Sequence, residues 1–292
     1  MAMHDKTKYV LLSFSITILL WASAFPVIKL ALEDFKAENL SALRLVIGAF
    51  LLIIIGVIKQ IKLPEKRDLP VILLLGFCGF TVYHTALSFG EHFVSAGIAS
   101  LLVSTTPIFS AILATLFLKH HFSKWAWFGS SVAFIGVAFI SLSSKSELKA
   151  ALLGIILVLV ASFGESIYFV FQSRLLKKYG FLPLTIYTII SGAIFSVIFL
   201  PSACNDLFSA STSSVLSVLY LGIFPTVIPY IALAYTIQEI GVSDATLSLY
   251  LTPAVSLLLA YVLLGEIPNL IALTGGTITL IGVGIASKYS SS

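Results

Sequence analysis

The chain predicts an all-α membrane protein of ten transmembrane helices arranged as two inverted five-helix repeats, and three observations carry that expectation. Of its 292 residues 59% are hydrophobic and only 10% charged, with a mean hydropathy of +1.07, whereas a soluble domain carries roughly 25% charged residues. Residues 75–141 reappear without a gap as 221–287, displaced by 146 positions, as from 76 to 222. The anchors are Gly76/Gly222, Ala86/Ala232, Ala99/Ala245, Thr106/Thr252, Pro107/Pro253, Gly129/Gly275, Gly136/Gly282 and Ser141/Ser287. The third observation is that Lys and Arg crowd into alternate loops between apolar runs. An internal repeat in a membrane protein is the mark of a transporter with its site between the halves.

A hydrocarbon core of about 30 Å takes roughly 20 apolar residues per helix. Ten runs meet this: 10–32, 40–58, 69–89, 95–118, 125–142, 152–172, 183–201, 215–235, 242–264 and 270–287. The first follows Lys6 and Lys8 and contains Ala22-Ser23-Ala24, as a cleavable signal would. Its apolar character continues to Leu32, however, and Pro26 crowds the cut, so an uncleaved helix is expected. None of the runs alternates with period two, which argues against a barrel. The net charge of +4 comes from loop residues that set topology and gives no reason to expect a nucleic-acid partner. Cys78 in a span and Cys204 in a loop form no disulfide framework or metal-ligand cluster, so neither metal nor other cofactor is expected.

Placing the N-terminus inside puts Lys6, Lys8, Lys59, Lys62, Lys66, Arg67, Lys119, Lys124, Arg174, Lys177, Lys178 and Lys288 in the cytoplasm. Only Lys36, Lys145 and Lys149 then fall in outer loops, so both termini are expected inside an inner-membrane, multi-pass protein. Five helices per half is odd, and the second copy must therefore enter from the opposite side. The halves are expected at 1–142 and 152–292, joined by a polar linker at 143–151.

Several segments resemble the EamA family of the drug/metabolite transporter superfamily. Residues 20–29, Leu-Trp-Ala-Ser-Ala-Phe-Pro-Val-Ile-Lys, are similar to its first-helix pattern, and Leu43-Arg44-Leu45 to its second. Ala99 through Pro107, and Ala245 through Pro253 into Leu264-Gly265-Glu266, resemble its fourth and ninth helices. One departure is that Lys119-His120-His121 stands where the second copy has Gly265-Glu266. The resemblance implies transport of small metabolites, frequently export of amino acids or related compounds.

Helical spacing gathers polar groups into stripes. Gly97, Ser100, Ser104 and Pro107 share one face of the fourth span, and Ser243, Thr246, Tyr250 and Pro253 are their counterparts on the ninth. Pro107 and Pro253 lack an N–H and should free the carbonyls of Val103 and Leu249, which Thr105, Thr106 and Thr252 could satisfy. A structural kink and a hinge for alternating access are both compatible with this pattern.

Glu165 lies near the middle of the sixth span with Ala161, Tyr168 and Gln172 on its face. A carboxylate there costs on the order of 2.5 kcal/mol on insertion scales, so it is expected in a central site, binding a substrate ammonium or a coupling proton. A structural hydrogen bond is the alternative. The third span offers Tyr83 and His84 beside Thr81, Ser88 and Glu91, with Glu91 near the outer interface. His84 fits a buried neutral histidine or a proton relay. Trp21 and Phe25, and Tyr230 on the eighth span, are candidate cavity walls. Arg44 and Lys29 fall near helix ends, where snorkelling is expected, and Gly129, Gly136, Gly275, Gly276, Gly282 and Gly284 should permit close packing.

No Gly-x-x-x-x-Gly-Lys sequence is present, which points to an ion or substrate gradient as the energy source. The expected function is a secondary transporter exporting amino acids or amines, in a lipid bilayer and with a coupling proton as partner. Import or exchange of a nucleoside derivative or organic anion is an alternative. An intramembrane enzyme using Glu165 and His84 lacks an accompanying nucleophile, and a passive channel is the remaining class. Oligomeric state is left open by the sequence.

Overall fold

A computed structural model describes residues 2–118, 123–142, 148–240, 245 and 251–289. The described residues are helical, without strands. In chain order the helices are α1 (Ala2–Ala31), α2 (Ala37–Ile58), α3 (Leu69–Gly76), α4 (Tyr83–Glu91), α5 (Ala96–Val103), α6 (Thr106–Leu118), α7 (Lys124–Leu142) and α8 (Leu148–Phe171). They continue as α9 (Ser173–Tyr179), α10 (Phe181–Ser196), α11 (Leu200–Ser209), α12 (Thr212–Ile240), α13 (Thr252–Leu264) and α14 (Leu270–Lys288). Seven helical stretches are long and apolar enough to cross a membrane, and apolar helices at Lys124–Ile140, Thr252–Leu264 and Leu270–Ala286 are shorter. Cys204, expected in a loop, lies exposed on α11. The tract after Ile198 is interrupted by Pro201, which sits in the first turn of α11, where its missing N–H costs no hydrogen bond.

Two of the expected spans are not simple helices. A π-helical stretch, Phe77–Val82, joins α3 to α4. Close approach to α8 accompanies it: a methyl group at Gly164 would meet the Cys78 carbonyl oxygen at 2.6 Å, and one at Gly79 would collide with the Tyr168 side chain. In the fourth span the helix breaks at Ser104 and Thr105. Pro107 is the second residue of α6, so its missing N–H falls where a helix has none to use. Thr105 Oγ1 donates to Leu102 O at 2.7 Å and not to Val103 O, and the Thr105 N–H donates to the same Leu102 oxygen at 3.0 Å. Thr252 opens α13 beside Pro253, and its hydroxyl makes no hydrogen bond among the described residues.

On α12 two prolines four residues apart, Pro225 and Pro229, deprive the carbonyls of Leu221 and Pro225 of their helical donors. Both are recaptured. Thr226 Oγ1 donates to Leu221 O at 2.7 Å, and the Trp21 indole N–H, from α1, donates to Pro225 O at 3.3 Å. Trp21→Phe keeps the ring and removes the donor. It is expected to lower stability by about 1–2 kcal/mol, seen as a lower unfolding temperature in detergent; an unchanged transition would show that the carbonyl does not depend on Trp21.

α7 lies antiparallel along α14. Gly129 faces Gly282, where an added methyl on either would stand 2.6 Å from the other's carbonyl oxygen. Gly136 faces Gly275, and Thr279 Oγ1 reaches Ala133 O at 3.4 Å. The ends of the bundle are tied by polar contacts. At one end Lys178 pairs with Glu65 at 2.8 Å and with Asp68, and its hydrogen bond holds the Glu65 carboxyl below the usual range. At the other, Asn39 Nδ2 donates to Asp206 at 2.6 Å. There the Ser211 hydroxyl and N–H donate to Asp34 and hold its carboxyl low.

Candidate functional site

The apolar faces collect into two main buried clusters, one containing Trp21, Phe80, Tyr168 and Tyr230, the other Phe25, Tyr83, Leu102 and Ala161. Trp21 and Phe25 are one helical turn apart, so α1 feeds both. Where the clusters meet, Glu165 is buried at 1% exposure. The Thr106 hydroxyl, at the start of α6, donates to Glu165 Oε2 at 3.1 Å. Ser166, the next residue, donates to Thr106 O at 2.9 Å and so pins the broken fourth span against α8. The first residue of α6 thus gives its hydroxyl to Glu165 and its carbonyl to Ser166, two successive residues of α8.

Glu165 lines a small cavity with Trp21, Phe25, Tyr83, Ser100, Ser104 and Thr252. A second one is lined by Arg44, His84, Ala24, Ile28 and Leu87, and shares Trp21, Phe25 and Tyr83 with the first. Their volumes are ≈ 20 Å³ and ≈ 10 Å³, room for about one water molecule apiece. In this conformation the site is closed, and the three shared aromatic side chains form the partition.

Arg44 does not snorkel. Its side chain is 2% exposed, because α2 begins at Ala37, three residues before the expected start, and the side chain turns into the bundle among Trp21, Ile28, His84 and Leu87 of α1 and α4. Nε donates to Thr226 Oγ1 at 3.1 Å, which joins the guanidinium to the proline-broken segment of α12. Nη1 has no protein partner. Glu91, expected near the outer interface, is likewise fully buried, with neither carboxyl oxygen hydrogen-bonded.

His84 is buried, with neither ring nitrogen hydrogen-bonded. Its ring lies 4.9 Å from that of Tyr83 and 6.2 Å from those of Phe80 and Tyr230. Tyr230 and Tyr168 lie behind the cavities in an aromatic cluster: Tyr230 is 5.1 Å from Trp21 and 4.7 Å from Phe80, and Tyr168 is 5.0 Å from Phe80. Gln172, just past the end of α8, is buried two turns from Glu165; its amide atoms are unpaired among the described residues, and it lines neither cavity. Of the polar stripe, Ser100 and Ser104 reach the cavity, whereas Gly97 faces Leu257. Tyr250, Ser243, Thr246, Lys119, His120, His121 and the linker core 143–147 lie outside the described residues. Among the described residues no group of three or more His, Cys, Asp or Glu could hold a metal ion. Sequence reasoning missed Arg44 and Thr226, although Pro225 and Pro229 at i and i+4 with an adjacent threonine were a legible signal of freed carbonyls.

Comparison with known proteins gives the geometry a family. A crystal structure of a protein 20% identical in sequence overlaps 95% of this chain and 96% of its own with a TM-score of 0.62, a likeness of fold alone. The uncharacterized transporter YdfC of Bacillus subtilis is 48% identical over 281 residues, 96% of this chain and 92% of that one. A probable terminal-alkyne amino-acid exporter of Streptantibioticus cattleyicolor is 34% identical over 274 residues, 94% and 91% of the two chains. The uncharacterized inner membrane transporter YedA of Escherichia coli is 28% identical over 250 residues, 85% and 80%. The EamA-like transporter family matches twice, at residues 8–142 and 152–288. A multi-pass helical membrane protein with this double match and these relatives belongs to the EamA-like transporter family.

Proposed function

We propose that the protein is a secondary transporter that exports amino acids or related amines by alternating access through the site at Glu165. The observation that carries this reading is a carboxyl group at 1% exposure, held by Thr106 in a cavity walled by Trp21, Phe25 and Tyr83. Such a group is costly in a bilayer unless it meets a cation or a proton. A relative at 34% identity, a probable terminal-alkyne amino-acid exporter, supports the substrate class.

We further infer two inverted five-helix halves, 1–142 and 152–292, with both termini in the cytoplasm. Reciprocal contacts support the inversion. Gly129 and Gly275 are repeat counterparts, as are Gly136 and Gly282, and each glycine faces the counterpart of the other. Ala133 and Thr279, themselves 146 apart, touch, as residues beside a pseudo-two-fold axis must. Pro107 and Pro253, each at the start of a helix following a break or boundary, are the proposed hinges, and the closed cavities require such movement before a solute can enter. Purified protein in liposomes loaded with unlabelled amino acids should show saturable counterflow of labelled ones. Linear, unsaturable leak would mean a channel, and chemical conversion of the solute would mean an enzyme.

A further inference from the structure

We propose that Arg44 receives the carboxylate of the transported solute while Glu165 receives its ammonium group, so that the site selects zwitterionic amino acids over amines and over organic anions. This deepens the exporter reading and rests on it. Arg44 and Glu165 open on neighbouring cavities that have Trp21, Phe25 and Tyr83 as common walls. When those side chains part, the two chambers become one, with a guanidinium on one side and a carboxyl group on the other.

Each pole has unused capacity. Among the described residues Arg44 forms one hydrogen bond, from Nε to a neutral hydroxyl, and no contact ion pair; the buried Glu91 carboxyl acts on it only at longer range. Its Nη1 is buried without a partner. A guanidinium stays charged and offers a planar fork that matches a carboxylate. Glu165 accepts one hydrogen bond, again from a neutral hydroxyl. The structural alternative, in which Arg44 only braces the Thr226 segment, uses Nε and leaves Nη1 unemployed.

Charge balance selects the solute. In a low-dielectric site an unpaired ion is strongly disfavoured. A zwitterion brings no net charge and supplies a counter-ion to each pole. An amine satisfies Glu165 and adds a second cation near Arg44; an organic anion satisfies Arg44 and faces Glu165. The aromatic walls take the uncharged body of the molecule.

The test uses the full chain in liposomes of phosphatidylethanolamine and phosphatidylglycerol. The twenty common L-amino acids are screened for counterflow, and the best one is compared with its α-amide, its decarboxylated amine and its N-acetyl derivative as competitors. The amino acid should compete at least tenfold better than each derivative. In Arg44→Gln, or in Arg44→Lys should the glutamine variant fail to yield monodisperse protein, the advantage over the amide should shrink several-fold while the advantage over the N-acetyl derivative persists. Equal competition by the amide or amine in the wild type, or an undiminished preference in the Arg44 variant, overturns the assignment and leaves the exporter reading standing. Absence of counterflow for amino acids and amines alike removes the exporter reading, and the assignment with it.

Discussion

Leucine at both Gly129 and Gly282 should abolish monodisperse folded protein, while leucine at either one alone should lower the unfolding temperature markedly. The reason is that the obstacle is backbone. A Cβ on either glycine comes within 2.6 Å of the facing carbonyl oxygen, and Ala286 and Ala133 crowd the same spots. Rotamer changes cannot relieve such a clash, so α7 and α14 would have to separate along their length. Overpacking typically costs about 1–3 kcal/mol per site, and the two substitutions share one contact, so their costs should not add simply. Gly284 is the internal control: it is on the same helix with nothing within 4 Å of an added methyl, and Gly284→Ala should leave the transition in place. Fluorescence-detected unfolding and size exclusion in detergent measure both. A double variant as stable as the wild type would mean that this glycine seam does not hold the two helices together.

The seam was legible because small residues recur at helical spacing in two segments related by a constant offset, and membrane helices lacking a hydrophobic drive use small residues to approach. Glu165 was legible for a related reason, since a carboxylate in an apolar run has few uses. Arg44 was not. Counted from Leu40 it falls in the outer turn of a helix, where lysine and arginine reach for water; only the packing of α1, α4 and α12 around the side chain makes the position interior. Glu91 closes α4 at the end of the bundle and is nevertheless buried. Depth in sequence is measured from helix ends, whereas burial is decided by what covers those ends. The π-helical stretch at Phe77–Val82 has no composition that announces it, although Gly79 marks where α8 comes closest. Pro107 suits a kink and a hinge equally because proline reports only that a donor is missing; the break itself is seen at Ser104 and Thr105, whose hydroxyls turn onto Leu101 and Leu102.

Glu165→Gln should eliminate accumulation driven by an imposed pH gradient, while counterflow persists at roughly tenfold weaker apparent affinity, since an ionised acceptor binds an ammonium about twice as strongly as a neutral one does. The two readouts separate two jobs that one carboxyl group would perform. A proton and an ammonium group both need the same oxygens, so each expels the other, and that mutual exclusion is what converts a proton gradient into movement of solute. Glutamine accepts a hydrogen bond but cannot release a proton, so exchange of solute for solute survives and coupling does not. Thr106→Val tests the same logic from the partner's side. It removes the one hydrogen bond from a described residue that holds the carboxyl group in place, so apparent affinity for the solute should fall several-fold while gradient-driven accumulation is retained. Full gradient-driven accumulation in Glu165→Gln would place the coupling elsewhere, with His84 and Glu91, both buried without hydrogen-bond partners, next in line.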